Sequence, residues 1–472
     1  MAKKNPHLNP ETFRDSLGTV RDDGKRFWVY PKKVSGIFYK YRTYLSWVLL
    51  AILFVGPFIK VDGRPWLLFN IFERKFIIFG AVFWPQDTHL LIFLLLILFV
   101  FIILFTVIFG RIWCGWACPQ TLFMEMVFRK IEYVIEGDAN KQRALNEGPW
   151  TTEKITKKGI KLVVFGIISL MIGHLVMAYL IGVDQVKQIV TQPPSEHLAG
   201  FIGLVAFSGI FMFVFSWFRE QACIVVCPYG RLQGVLLDNN SINVMYDYVR
   251  GEPRGPIRKN QVAEAPKGDC VDCNLCVQVC PTGIDIRNGI QMECVNCTAC
   301  IDACDDVMEK VERPKGLIRY ASENSIQEGF QELFTGRVKA YSIVLVLLIA
   351  GFISLIATRD ELSATITRFP GMTYQMRDNG TVSNLYQITL INKTFKPQTV
   401  DLKSLVPGFE VEMVGDQHWV LEPQSKVEGR FFLVKNQNEV LTPQQKVNLS
   451  LLHNGEEIDE INTSFMAPVA TK

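Results

Sequence analysis

Eight cysteines stand within 35 residues in two runs, Cys270-x2-Cys273-x2-Cys276-x3-Cys280-Pro281 and Cys294-x2-Cys297-x2-Cys300-x3-Cys304. Three cysteines two residues apart wrap one corner of an iron–sulfur cube, and the fourth reaches only the neighbouring cube. The spacing therefore predicts a bacterial-type ferredoxin module with two [4Fe–4S] clusters. Cys270, Cys273, Cys276 and Cys304 would hold one, and Cys294, Cys297, Cys300 and Cys280 the other. Asp305 stands where the second run would carry a proline. Paired zinc knuckles would need two closed four-ligand sites with a longer gap between ligand pairs. A disulfide staple would need an oxidising compartment.

The rest of the chain reads as a membrane protein. It has 472 residues, 49% of them apolar, and a positive mean hydropathy. Spanning a bilayer takes about 20 apolar residues, and five segments qualify: roughly 41–59, 90–109, 162–183, 198–218 and 340–358. A sixth stretch, 65–84, carries Glu73, Arg74 and Lys75 at its midpoint. At about 2.5–3.5 kcal/mol per central charge these argue against spanning, so a surface-lying or re-entrant hairpin is expected there. No usual signal peptide opens the chain, because residues 1–40 are polar and charged. A net charge of +3 gives no reason to expect nucleic acid.

Lysine and arginine set an expected orientation. The leader up to Arg42 holds ten, the stretch 111–161 nine and the stretch 219–339 fourteen, whereas Lys187 stands alone between the third and fourth spans. Positive residues stay on the cytoplasmic side. The leader is thus expected inside and the C-terminus outside. All twelve cysteines then fall on or at the border of the reducing side, and the tail after Thr358 has none.

The expected class is a polytopic α-helical membrane protein with a cytosolic ferredoxin module and a C-terminal periplasmic immunoglobulin-like β-sandwich. Its parts are a basic leader over 1–40, a membrane domain with four spans over 41–264, the ferredoxin module over 265–312, a linker and fifth span over 313–358, and the exported domain over 359–472. In that last part apolar and polar residues alternate over 385–390, 409–414, 429–434 and 447–452, with turn signals at Asp378-Asn379-Gly380 and Asn454-Gly455.

The four remaining cysteines form matching motifs, Cys114-Gly-Trp-Ala-Cys118-Pro119 after the second span and Cys223-Ile-Val-Val-Cys227-Pro228 after the fourth. On a helix, positions i and i+4 share a face, and both pairs arrive at the same membrane face. Three readings fit: small buried hydrophobes, a soft-metal site suited to Cu(I), or a redox dithiol or third cluster. A soft-metal site with Cys114, Cys118, Cys223 and Cys227 as ligands is the expectation. His174, between Met171 and Met177 in the third span, is an intramembrane ionisable group and a lesser ligand candidate. His89 and His197 mark span ends. The stretch Tyr246–Arg254 could line a quinone or docking pocket.

Taken together, the five spans, the paired Cys-x3-Cys-Pro motifs, the double ferredoxin run and the cysteine-free β tail resemble the cytochrome c oxidase accessory protein family CcoG, also called RdxA or FixG. Membrane polyferredoxins of the NapH and NosR kind share the core but not the tail. The resemblance implies a cupric reductase that supplies Cu(I) for assembly of a cbb3-type oxidase, beside a copper-exporting P-type ATPase. It carries the eight ferredoxin cysteines over as cluster ligands and the other four as copper ligands, with a cytosolic electron donor. Two other classes compete: a quinol-linked electron-transfer subunit of NapH type, and a non-enzymatic assembly factor that holds copper.

Overall fold

A computed structural model describes residues 19–20, 25–61, 63–72, 75–79, 81–83, 87–256, 268–358, 362–394, 396–415, 419–423, 425–440, 442–453 and 456–468. Most of the leader, Glu73, Arg74, Trp84 and the turn Asn454-Gly455 lie outside these. The chain divides into two compact units, 1–352 and 353–472.

Five helices in the described residues are long and apolar enough to cross a membrane. They are Ile37–Val55 with a short 3-10 extension to Phe58, Thr88–Phe109, Thr152–Ile181, Leu198–Phe213 continuing as a π-helix to Phe218, and Gly336–Ala357. The second has 22 residues, about 33 Å at 1.5 Å per residue, which matches a hydrocarbon core of about 30 Å. Residues 65–84 do not add a span. Leu67–Asn70, Lys75–Ile78 and Ala81–Phe83 form a three-stranded antiparallel sheet.

The first, third and fourth spans pack around aromatic side chains. Phe128 is fully buried, with its ring 4.6 Å from Phe165 and stacked at 4.8 Å on Phe215. Phe128 ends a π-helical segment, Leu122–Phe128. Beneath it comes a layer of buried charge. Glu132, 1% exposed, accepts two hydrogen bonds from Arg219 at 3.1 and 3.2 Å and lies 3.6 Å from Lys161. Arg129 pairs with Glu125 at 3.1 Å, and Arg219 lies 3.5 Å from Glu220. Charges at this depth persist because they are paired.

Beyond the fourth span the chain builds the cysteine module. Asn243–Tyr246 pairs antiparallel with Ile318–Ala321. These strands pack with Ile286, Ile301 and Met308 into a small core that includes Cys276.

The second unit is an immunoglobulin-like sandwich. One sheet runs in the order Phe409–Met413, Lys426–Asn436, Thr381–Asn392, Leu362–Arg368, with Gln375–Met376 also on Thr381–Asn392. The other runs Trp419–Leu421, Gln398–Ser404, Gln444–His453, Glu456–Met466. Alternation along the strands puts Tyr386, Ile388 and Leu390 of one sheet in the same core as Val447, Leu449 and Leu451 of the other.

Candidate iron–sulfur and thiol site

The two ferredoxin runs fold as matched loops. The residues flanking the second cysteine of each take left-handed backbone: Asp272 (φ 54°) and Asn274 (φ 57°) in the first, Asn296 (φ 52°) and Thr298 (φ 64°) in the second. After glycine, asparagine and aspartate tolerate this conformation best, whereas β-branched Thr298 adopts it at a cost. Each loop then enters a helix, Leu275–Gln278 or Ala299–Lys310, that carries the third cysteine. Arg287 braces the first loop, donating to Asp272, Asn274 and Asp285.

Cys270, Cys273, Cys276 and Cys304 line one cavity. Cys280, Cys294, Cys297 and Cys300 line a second, and Cys276 stands in the wall common to both. The last cysteine of each run therefore sits with the first three of the other. All eight are free thiols, and Cys273 is exposed. Burial pushes Cys276, Cys294 and Cys304 up to about 12 and Cys297 to about 11. An apolar cavity keeps such thiols neutral, and iron binding would displace their protons. Two cavities, one walled by four thiols and the other by four more with Cys276 in the shared wall, fit two [4Fe–4S] groups, which supply one-electron storage when bound.

The membrane-border cysteines differ from a simple i, i+4 pair on one helix. Cys114 lies in the short helix Ile112–Trp116, and Cys118 (φ −60°, ψ 126°) precedes the helix Pro119–Thr121. Cys223 lies in the π-helical segment Ala222–Val226, and Cys227 (φ −66°, ψ 109°) precedes the helix Pro228–Leu236. The backbone breaks at the second cysteine of each motif, and each proline starts the next helix rather than ending the last. Proline suits the first helical position, where its missing N–H costs nothing. The pairs still converge: Cys223 is within electrostatic reach of Cys118, Cys114 and Cys227. Burial pushes Cys114 up to about 11 and Cys223 to about 12. Among the described residues no three His, Cys, Asp or Glu side chains close on a point as ligands of a single ion would.

This thiol site abuts the second cluster cavity. Cys114, Val295 and Cys297 form one buried group, with Cys223, Tyr229 and Ala299 packed against it. A Cβ on Gly115 would meet the carbonyl oxygens of Val295 and Asn296 at 2.5 Å, so only glycine allows the approach. Arg42, 5% exposed, donates Nε to the Gly115 carbonyl at 3.0 Å and Nη1 to the Cys297 carbonyl at 2.8 Å. Gln233 accepts from Arg111 Nε at 3.0 Å and from the Cys114 thiol at 3.1 Å. Asn296 joins Asn243 at 3.0 Å, and Trp116 donates to the Tyr320 hydroxyl at 2.8 Å. Gly115→Val is expected to cost about 1–3 kcal/mol through overpacking. It should lower the melting temperature in detergent while iron content holds, which is checked by thermal denaturation beside an iron assay.

Sequence reasoning missed Arg42, Arg111 and Gln233. In sequence Arg42 counts only as one of the leader's orienting charges. An arginine inside an apolar stretch, which must find a partner, was the available clue. His174 Nδ1 lies 2.7 Å from the Leu170 carbonyl of its own helix. Tyr246 lines the first cavity, and Arg250 donates to Asp269 and to the Pro314 carbonyl, so that stretch braces the ferredoxin loops.

Spanning helices joined to thiol-lined cavities of this spacing define a multi-pass membrane protein that moves electrons through iron–sulfur centres. The comparisons narrow the class. Residues 218–323 match a 4Fe-4S dicluster domain, 91–134 a 4Fe-4S binding domain, and 352–468 the IG-like fold at the C-terminal of FixG. Protein RdxA of Cereibacter sphaeroides is 34% identical over 378 residues, 77% of this chain and 79% of that protein. RdxB of the same organism is 33% identical over 405 residues, 82% of each chain. Nitrogen fixation protein FixG of Rhizobium meliloti is 32% identical over 420 residues, 80% of this chain and 79% of its own. This chain belongs to the FixG/RdxA family.

Proposed function

We propose that this protein is a cupric reductase of a bacterial inner membrane: it passes one electron to Cu(II), and the Cu(I) formed serves assembly of a cbb3-type oxidase, beside a copper-exporting P-type ATPase. The leader and ferredoxin module face the cytosol, and the immunoglobulin-like domain faces the periplasm. Cys270, Cys273, Cys276 and Cys304 hold one cluster, and Cys280, Cys294, Cys297 and Cys300 the other. Cys114, Cys118, Cys223 and Cys227 receive copper, because thiolates favour Cu(I) over Cu(II). A cytosolic donor approaches at the exposed Cys273.

The observation that carries this reading is the packing of Cys114 and Cys223 on Cys297. It sets a soft-donor site directly beside an electron relay. Replacing Cys114 and Cys223 together by serine is expected to leave iron content intact and to abolish most copper binding, as followed by equilibrium dialysis of the anaerobic protein. Normal copper binding by the double variant would remove the site.

A second reading has one observation in its favour. The 4Fe-4S binding domain match over 91–134 contains only Cys114 and Cys118 as cysteines, so a cube there would need Cys223 and Cys227 as well. Iron assay separates the two: about eight irons per chain for two cubes, about twelve for three.

A further inference from the structure

At the ends of the third and fourth spans lies an open cleft of about 450 Å³, which neither the thiol site nor the ferredoxin loops use. Its lining includes five cations, Arg26, Arg143, Lys158, Lys161 and Arg219, against two carboxylates, Glu136 and Glu147. Much of that charge is paired, by Glu136 within the lining and by Glu132 and Glu220 behind it. Arg26 pairs with Glu220 at 2.7 Å, Arg219 with Glu132, and Lys158 and Lys161 each with Glu136 at 2.9 Å. Compensation is incomplete. The Arg26 Nε is buried without a hydrogen-bond partner, whereas the Arg219 Nε faces Glu220 at 3.5 Å. Arg143 is exposed and has no partner among the described residues.

The remaining walls are aromatic, from Phe27, Trp28 and Tyr30. The Arg26 guanidinium lies 3.9 Å from the centre of the Trp28 ring, which holds one cation in place. Beside the cleft, the same turns of the spanning helices turn apolar surface outward. Phe213 and Trp217 on the fourth, and Ile160 and Val163 on the third, are each about half exposed or more. A cationic pocket at the polar edge, continuous with apolar helix surface, matches a ligand that is anionic at one end and oily at the other. Basic pockets between spanning helices take phospholipid headgroups for this reason.

We propose that this cleft seats the headgroup phosphate of an anionic phospholipid, with its acyl chains along the third and fourth spans. A soluble phosphate ester offers the same charge without the chains. The two sources are distinguished with the full-length protein in neutral detergent, using phosphatidylglycerol, phosphatidylcholine and glycerol phosphate, each followed by native mass spectrometry and thermal shift. Retention of phosphatidylglycerol over phosphatidylcholine is expected, with no shift from glycerol phosphate. Arg143→Glu should weaken retention at least about fivefold, and Lys141→Glu, the same charge change on the same helix outside the cleft lining, should not. Equal retention of both lipids, an equal shift from glycerol phosphate, or equal effects of the two variants would overturn the proposal.

Discussion

Cys304→Ser is expected to remove the same cluster as Cys270→Ser, although Cys304 closes the other cysteine run. Cys304 lines a cavity with Cys270, Cys273 and Cys276, while its sequence neighbour Cys300 lines the second. Each variant should lose about four of about eight irons. Cys280→Ser should instead match Cys294→Ser. The pairs are told apart by EPR of the dithionite-reduced protein, since the surviving signal reports which centre remains. If Cys304→Ser resembled Cys300→Ser, the crossed arrangement would be wrong.

The second large effect lies away from any cysteine. Glu132→Gln should destabilise the membrane unit by about 3–5 kcal/mol, because a buried ion network that loses one partner strands the others. Glu132 faces Arg219 and Lys161 at 3.6 Å or less. Burial pushes its carboxyl up, but Arg219, Lys161 and Arg129 outweigh that and hold it below the usual range. Its contribution is therefore complete above about pH 4.3, the ordinary glutamate value, and is lost only as pH falls through the lower folded value. The variant's lower melting temperature in detergent should thus persist across neutral pH and approach the parent's only in acid. A melting temperature equal to the parent's at pH 7 would contradict the network's role.

Much of the architecture was legible because its signals are local. A run such as Thr88–Phe109 without one charge can only be buried in lipid or protein. The cysteine spacing limits which thiols can meet, and the structure brings the same two foursomes together. Alternation over 385–390 marks a strand with one buried face, and the strand found there runs Thr381–Asn392. What stayed hidden depends on distant partners. Lys161 and Arg219 count in sequence only as orienting charges, Glu132 carries no signal there, and only packing makes them one layer. Gly115 carried no sign that the Val295 and Asn296 carbonyls would fill its missing side chain. The helix assumed through each Cys-x3-Cys-Pro motif failed because proline prefers to open a helix, so the chain turns at Cys118 and Cys227.

In the proposed function, electrons held by the ferredoxin module reach copper at the adjoining thiols. Anaerobically reduced protein, freed of excess reductant and mixed with Cu(II), should regain the visible absorbance of its oxidised form. Cu(I), trapped by a specific chelator, should appear one for each electron lost. Protein that stays reduced in the presence of Cu(II), yet exchanges electrons with a quinone analogue, would contradict it.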